Sequence, residues 1–147
     1  MKMNIIYREF KERDQASLAF LMSELGYEVD HNILCRRIDE IRAQGGEVIV
    51  AELAGAVVGC INPIIDIRLA EGKAGEIVSL VVSEKHRGMG IGKALIKSAE
   101  SWLSSRCDLI RVRANTIRSE AHIFYQRLGY QEIKSQKVFT KNVKQKH

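Results

Sequence analysis

The sequence predicts a mixed α/β fold, and three observations carry that prediction. Stretches with apolar residues at alternate positions and stretches with apolar residues at helical spacing follow one another in the order β-α-α-β-β-β-α-β-α-β. That order calls for a mixed sheet with helices on its faces. A glycine-rich turn, "RGMGIG" at 87–92, stands between an apolar strand pattern and a helical one. The 147 residues, 46% hydrophobic and 28% charged, suit one globular domain over 1–147 with a flexible tail at 142–147.

Each element has its own signal. "NIIYREF" alternates as a strand. "DQASLAFLMSELGY" sets Leu18, Leu21, Met22 and Leu25 at helical spacing, with Asp14 as N-cap and Gly26 as the stop. "DHNILCRRIDEIRAQGG" repeats the pattern through Ile33, Leu34, Ile38 and Ile41. "EVIVAEL" and "AVVGCINPIIDIRL", joined by a turn at Ala54–Gly55, read as a hairpin. Pro63 has no N–H to give a ladder, so the second strand carries a bulge or an edge there. "GEIVSLVV" is the next strand, and the helix behind the glycine turn runs from Gly90 to Ser105 with Ile91, Leu95, Ala99 and Trp102 inward. "DLIRVRA" alternates as a strand. "IRSEAHIFYQRLGY" is a helix ending at Gly129 with Ala121, Phe124 and Leu128 as its stripe, and "QEIKSQKVFTKNV" closes the chain as β-structure.

Composition excludes several functions. No apolar run approaches the ~20 residues a bilayer span needs, so no membrane partner is expected. "MKMNIIYREFKERD" has no signal-peptide core, which places the protein in the cytoplasm. Cys35, Cys60 and Cys107 are odd in number and widely spaced, against both a disulfide framework and a zinc site. His31, His86, His122 and His147 form no ligand spacing, so no metal is expected. Charge is uneven: residues 1–80 hold 9 Lys+Arg against 13 Asp+Glu, a net of −4, and residues 81–147 hold 14 against 5, a net of +9. This asymmetry points either to an anionic ligand on the C-terminal half or to a solvated basic face. The 6% of aromatic residues do not interleave with the basic ones, so nucleic acid is not an expected partner.

The glycine turn is the strongest chemical signal. A strand, a glycine loop and a helix start leave backbone N–H groups pointing outward with the helix dipole behind them, a setting for phosphate. A P-loop requires GxxxxGK[ST], but Arg87 and Ala94 occupy its first and last positions. A GxGxxG starting at Gly88 fails at Lys93 and comes too late in the chain. What remains is Arg-x-x-Gly-x-Gly. It resembles the [Gln/Arg]-x-x-Gly-x-[Gly/Ala] motif of the GNAT N-acetyltransferases, matched by Arg87, Gly90 and Gly92. "ANTIRSEAHIFYQRLGY" is similar to the family's second signature through Ala121, Phe124, Tyr125, Gly129 and Tyr130. Both motifs stand in the family's order of elements. Small bacterial members that acetylate aminoalkylphosphonates or aminoglycosides look nearest.

The resemblance implies a mostly antiparallel sheet of six to seven strands flanked by about four helices, with strands four and five splayed to hold CoA. It implies acetyl-CoA as co-substrate, an amine acceptor, and homodimers, which are common in the family. The loop Arg87, Gly88, Met89, Gly90, Ile91, Gly92 and Lys93 would wrap the pyrophosphate. Leu80, Val81 and Val82 would meet the pantetheine arm and the oxyanion through their backbone. A lysine-like amine, with a pKa near ~10.4, is mostly protonated at neutral pH and profits from a general base, for which Glu76 is the candidate. Tyr125 matches the family's acid for the leaving thiolate. Asn115 either contacts the cofactor or caps the next helix. The acceptor wall would come from the first two helices and their link, with Glu28, Asp30 and His31. An acyl-CoA-binding sensor without catalysis stays open as the alternative.

Overall fold

The computed structural model describes residues 4–113 and 119–144. The chain divides into two units, 1–113 and 114–147.

The first unit is a sheet of five strands in the order β1-β2-β3-β4-β5. They are β1 (Ile5–Glu9), β2 (Ile49–Leu53), β3 (Ala56–Arg68), β4 (Gly72–Val82) and β5 (Ile110–Val112). β1 to β4 are antiparallel neighbours, and β5 lies parallel to β4. Between β1 and β2 run α1 (Gln15–Glu24) and α2 (His31–Ala43), and α3 (Ile91–Ser104) joins β4 to β5. The β2–β3 turn falls at Ala54–Gly55 with both residues at positive φ, 51° and 82°, the hairpin geometry whose twist suits the strands.

Helices cover both faces of this sheet. On one face Leu18, Leu21, Leu34 and Ile38 of α1 and α2 pack on Val48, Val50, Val57 and Cys60. Burial drives the Cys60 thiol up to about 12, so it behaves as a small apolar side chain. On the other face Ile91, Leu95, Ile96, Ala99 and Leu103 of α3 are buried. A methyl on Gly59 would meet Leu95 and Ile91 there, and one on Gly75 would meet Leu103 at 2.7 Å and Cys107 at 2.8 Å. Trp102 departs from the expected inner stripe. Residue 103 completes the 91-95-99 row, while Trp102 sits at its margin with the Arg106 guanidinium stacked on its ring at 3.8 Å. Asp14 stands at the N-cap of α1 but gives it no side-chain bond, because its oxygens serve Arg8 and the Lys11 N–H.

The second unit contains α4 (Ser119–Arg127) and a following segment. Tyr125 makes edge-to-face contacts with Phe124 and Tyr130. The expected closing β-structure is not found: residues 131–144 form no strand, and the sheet has five strands among the described residues rather than six or seven. Ile133, Val138, Phe139 and Val143 are 77–88% exposed, so this segment lacks the buried face that fixes strand pairing. No helix among the described residues is long and apolar enough to cross a membrane.

Candidate active site

The site grows out of a change along β4. Its lower half is paired on both edges: Gly75, Glu76 and Ile77 oppose Ile110, Arg111 and Val112 of β5, while β3 runs along the other side. Among the described residues β5 ends at Val112, and β4 continues to Val82 paired with β3 alone. The pair thus opens above Ile77, and Val78 and Ser79 become exposed at that point.

A bulge sets which amides face the opening. Asn62 opposes Ser79 and Pro63 opposes Ile77, so Val78 is an extra residue on β4. The proline read from sequence marks this break in the ladder. Below it, the Gly75 N–H donates to the Leu109 carbonyl of the β5 side at 2.8 Å. Above it, the Ser83 N–H donates to the Val58 carbonyl of β3 at 2.8 Å. Antiparallel backbone groups alternate between the two edges. Val81 therefore shares the β3-facing phase of Ser83, whereas Leu80 and Val82 turn their N–H and C=O to the open edge. Of the three residues expected there, two present backbone donors and the third belongs to the ladder.

Next to this edge the chain makes a 3-10 turn, Glu84–His86, and enters the glycine loop. Gly88 and Gly90 have φ of 79° and 78°, a region in which other residues are strained. A Cβ on either would touch nothing within 4 Å, so the loop surface is open to an approaching group. Gly90 is the N-cap of α3 and gives it no side-chain bond. The first intrahelical bond is Ala94 N–H to the Gly90 carbonyl at 3.1 Å, which leaves the amides of Ile91, Gly92 and Lys93 free of helical partners. Arg87 and Lys93 are exposed cations beside them. His86 keeps a buried Nδ1 without a hydrogen-bond partner among the described residues. This donor set fits a pyrophosphate.

Glu76 faces the other way from Gly75, on the sheet face that α1 and α2 cover. It is 6% exposed. Its Oε1 accepts from Arg111 Nη1 at 3.1 Å and lies 3.4 Å from Arg113 Nε. Arg111 also donates to Asp66 at 3.0 Å and lies 3.5 Å from Glu71. Its basicity is pushed above the ordinary arginine value, first by the Glu76 bond. Sequence reading missed this cluster. The signal was the period-two placement of Arg111 and Arg113 in "LIRVR", which sends the side chains of Arg111, on β5, and of Arg113, just past its end, to the same side.

Tyr125 belongs to the second unit, half-buried on α4, and burial holds its phenol above the ordinary tyrosine value. Asn115 lies outside the described residues. Asp30 caps α2 by accepting from the Asn32 N–H at 2.7 Å, an ordinary role for a residue considered for the acceptor wall. A separate open groove of about 480 Å³, lined by Tyr7, Ile49, Lys97, Ser101 and Trp102 among others, lies at β1, three strands from β4.

Comparison with known proteins identifies the family. A profile of the acetyltransferase (GNAT) domain matches residues 44–132, from the end of α2 to just past α4. The chain belongs to the GNAT acetyltransferase family. An uncharacterised N-acetyltransferase of Chlorobaculum tepidum is 33% identical over 111 residues, covering 76% of this chain and 66% of the relative. One from Methanocaldococcus jannaschii is 37% identical over 87 residues, covering 58% and 53%. The chain thus spans between about half and two thirds of the curated relatives it matches. Among solved structures, a Trypanosoma brucei acetyltransferase superimposes with a TM-score of 0.80 at 25% identity, covering 93% of this chain and 99% of that one. An aminoglycoside N-acetyltransferase in complex with CoA superimposes with a TM-score of 0.83 at 16% identity, covering 96% and 97%. The mixed α/β fold is that of these proteins.

Proposed function

We propose that the chain is an acetyl-CoA-dependent N-acetyltransferase that passes the acetyl group to a primary amine of a small molecule or peptide, by direct attack within a ternary complex. The observation that carries this reading is the open upper half of β4 running into the Gly88–Gly92 loop: unpaired backbone amides for an extended arm and its carbonyl, followed by helix-terminal amides for phosphates. Acetyl-CoA supplies the activated acyl group. Ile91, Gly92 and Lys93 would hold the pyrophosphate through backbone N–H groups, with Arg87 beside them and Gly88, Met89 and Gly90 forming the bend. Leu80 and Val82 would donate to the arm and to the negative charge growing on the acyl oxygen. Glu76 would receive the amine proton, directly or through water. Tyr125, kept protonated by burial, would supply the proton for the leaving sulfur. Asn115 would contact the cofactor. A peptide α-amine is the first acceptor to try, because an N-alpha-acetyltransferase of Sulfurisphaera tokodaii is 27% identical over 106 residues. Such an amine, with a pKa near ~7.7–8.0, is also easier to deprotonate than an alkylamine.

Acetyl-CoA should raise the melting temperature, since a ligand that binds the native state alone stabilises it by mass action. Gly90→Asp would set a carboxylate against the pyrophosphate and abolish that shift. A folded Gly90→Asp protein that binds acetyl-CoA as the parent does would overturn the loop assignment. Thiol release across an amine panel separates the enzyme from an acyl-CoA sensor, which would bind and release none.

A further inference from the structure

We propose that Arg111 is a positioning residue for Glu76: it captures Oε1 of the carboxylate and leaves Oε2 as the oxygen that meets the acceptor. This rests on the reading of Glu76 given above.

The backbone builds the pair. Glu76 and Arg111 are direct register partners in the parallel β4–β5 ladder, so their side chains leave the same face side by side. Both recorded guanidinium contacts of Glu76, Arg111 Nη1 and Arg113 Nε, go to Oε1. Oε2 has no hydrogen-bond or ion-pair partner among the described residues. The two oxygens of one carboxylate are therefore in different surroundings.

Arg111 is itself immobilised. Nη1 also donates to Asp66 of β3 at 3.0 Å, and Nη2 lies 3.5 Å from Glu71 in the β3–β4 turn. Asp66 is in turn held by Arg68 Nε at 2.8 Å. The Arg111 side chain is only 13% exposed and that of Glu76 only 8%. A planar fork anchored by Asp66 of β3 fixes the orientation of the Glu76 carboxylate that it grips. Arg42 of α2, on the same face, is occupied by Glu47 and by the Phe10 carbonyl and does not compete. The pair sits where β5 stops and β4 opens, so the free oxygen is beside the gap in which the acyl carbonyl would lie.

The test is a double-mutant cycle with Glu76→Gln and Arg111→Gln. Thiol release from acetyl-CoA is followed with an unblocked peptide as acceptor, and water-driven hydrolysis of acetyl-CoA is the second rate. Thermal melts with and without acetyl-CoA accompany every variant. Arg111→Gln should lower kcat at least tenfold while leaving the acetyl-CoA melting shift intact. Arg111→Lys, which keeps the charge and loses the fork, should recover part of that loss and covers the case in which the glutamine variant fails to fold. In the Glu76→Gln background, Arg111→Gln should cost nothing further. Independently of activity, the slowly exchanging guanidinium resonances of Arg111 in the parent should be lost in Glu76→Gln. Additive losses, an Arg111→Gln enzyme as fast as the parent, or unchanged resonances would each overturn the proposal. Full activity in Glu76→Gln alone would instead overturn the reading of Glu76 on which it rests.

Discussion

Two arginine clusters stand at opposite ends of the strand order, Arg8 on β1 and Arg111 on β5, and they use the same side-chain types to different ends. Arg8 is saturated. Nη1 and Nη2 meet the two oxygens of Asp14 at 2.7 and 2.8 Å, Nε and Nη2 meet Glu52, and Nη1 also reaches the Glu9 carbonyl. Asp14 has no oxygen to spare, because its Oδ2 also takes the Lys11 N–H at 2.8 Å. Arg111 binds its carboxylates more loosely, at 3.0 to 3.5 Å, and one oxygen of Glu76 is left over. The buried carboxylate of the first cluster, Asp14, has both oxygens engaged and can only hold the fold; that of the second, Glu76, keeps a spare acceptor at the end of a splayed strand pair and has something to offer a ligand. Burial alone does not separate them, since Asp14 and Glu76 are both 6% exposed.

Substitutions can break or sharpen that contrast. The largest effect should come from the chemistry at the open cluster. Glu76→Gln should lower kcat by ~10²–10⁴-fold at neutral pH, the usual span for a general base, with acetyl-CoA affinity spared. The loss should shrink at high pH, where the amine is already neutral. Tyr125→Phe, assayed alongside, should keep folding and acetyl-CoA binding and lose turnover. A rate profile unchanged in either variant would remove that residue from the mechanism.

Asp14→Asn comes next and should act on stability alone, by about 1.5–3 kcal/mol at neutral pH, the range for hydrogen bonds to charged groups. Its bond to Arg8 holds the Asp14 carboxyl below the ordinary aspartate value. The folded-state pKa is thus lower than the unfolded one. The contribution is fully present above ~3.9 and fades as the pH falls from there through the depressed value. Urea titrations of parent and variant should therefore converge in acid. A gap that persists below that window would mean that the pair does not carry the difference. Smallest of all should be Glu71→Gln, within about 0.5 kcal/mol in stability and without effect on kcat, because Glu71 is 54% exposed and only 3.5 Å from Arg111. A large loss there would show that the rim of the cluster also orients Arg111.

How much of this could be read from sequence follows from the range of the interactions. Local signals held: the stop at Gly26, the Ala54–Gly55 turn, the break at Pro63 and the start of α3 at Gly90 each depend on a few neighbouring residues. The glycine loop was legible for the same reason. The Arg111–Glu76 pair was not, because 35 residues separate its members and only the parallel register joins them. Trp102 was misplaced because helical spacing locates a stripe but not its margin. The closing strand failed because alternation promises a strand only when an edge and a buried face exist to receive it, and Phe139 is 88% exposed.

The bulge at Val78 has a meaning best put in terms of parity. Below it, the residues of β4 whose backbone faces away from β3 are odd-numbered, Gly75 and Ile77; above it they are even-numbered, Leu80 and Val82. One inserted residue acts as a phase shifter for everything downstream. It fixes which amides are offered at the gap without touching a side chain at the gap itself. The same shift keeps Glu76, below the break, on the α1–α2 face with Ser79 and Val81 above it, so both stretches of the strand send side chains to one face of the sheet. Chain length, counted to a single residue, is here a determinant of the site equal in rank to any of its side chains.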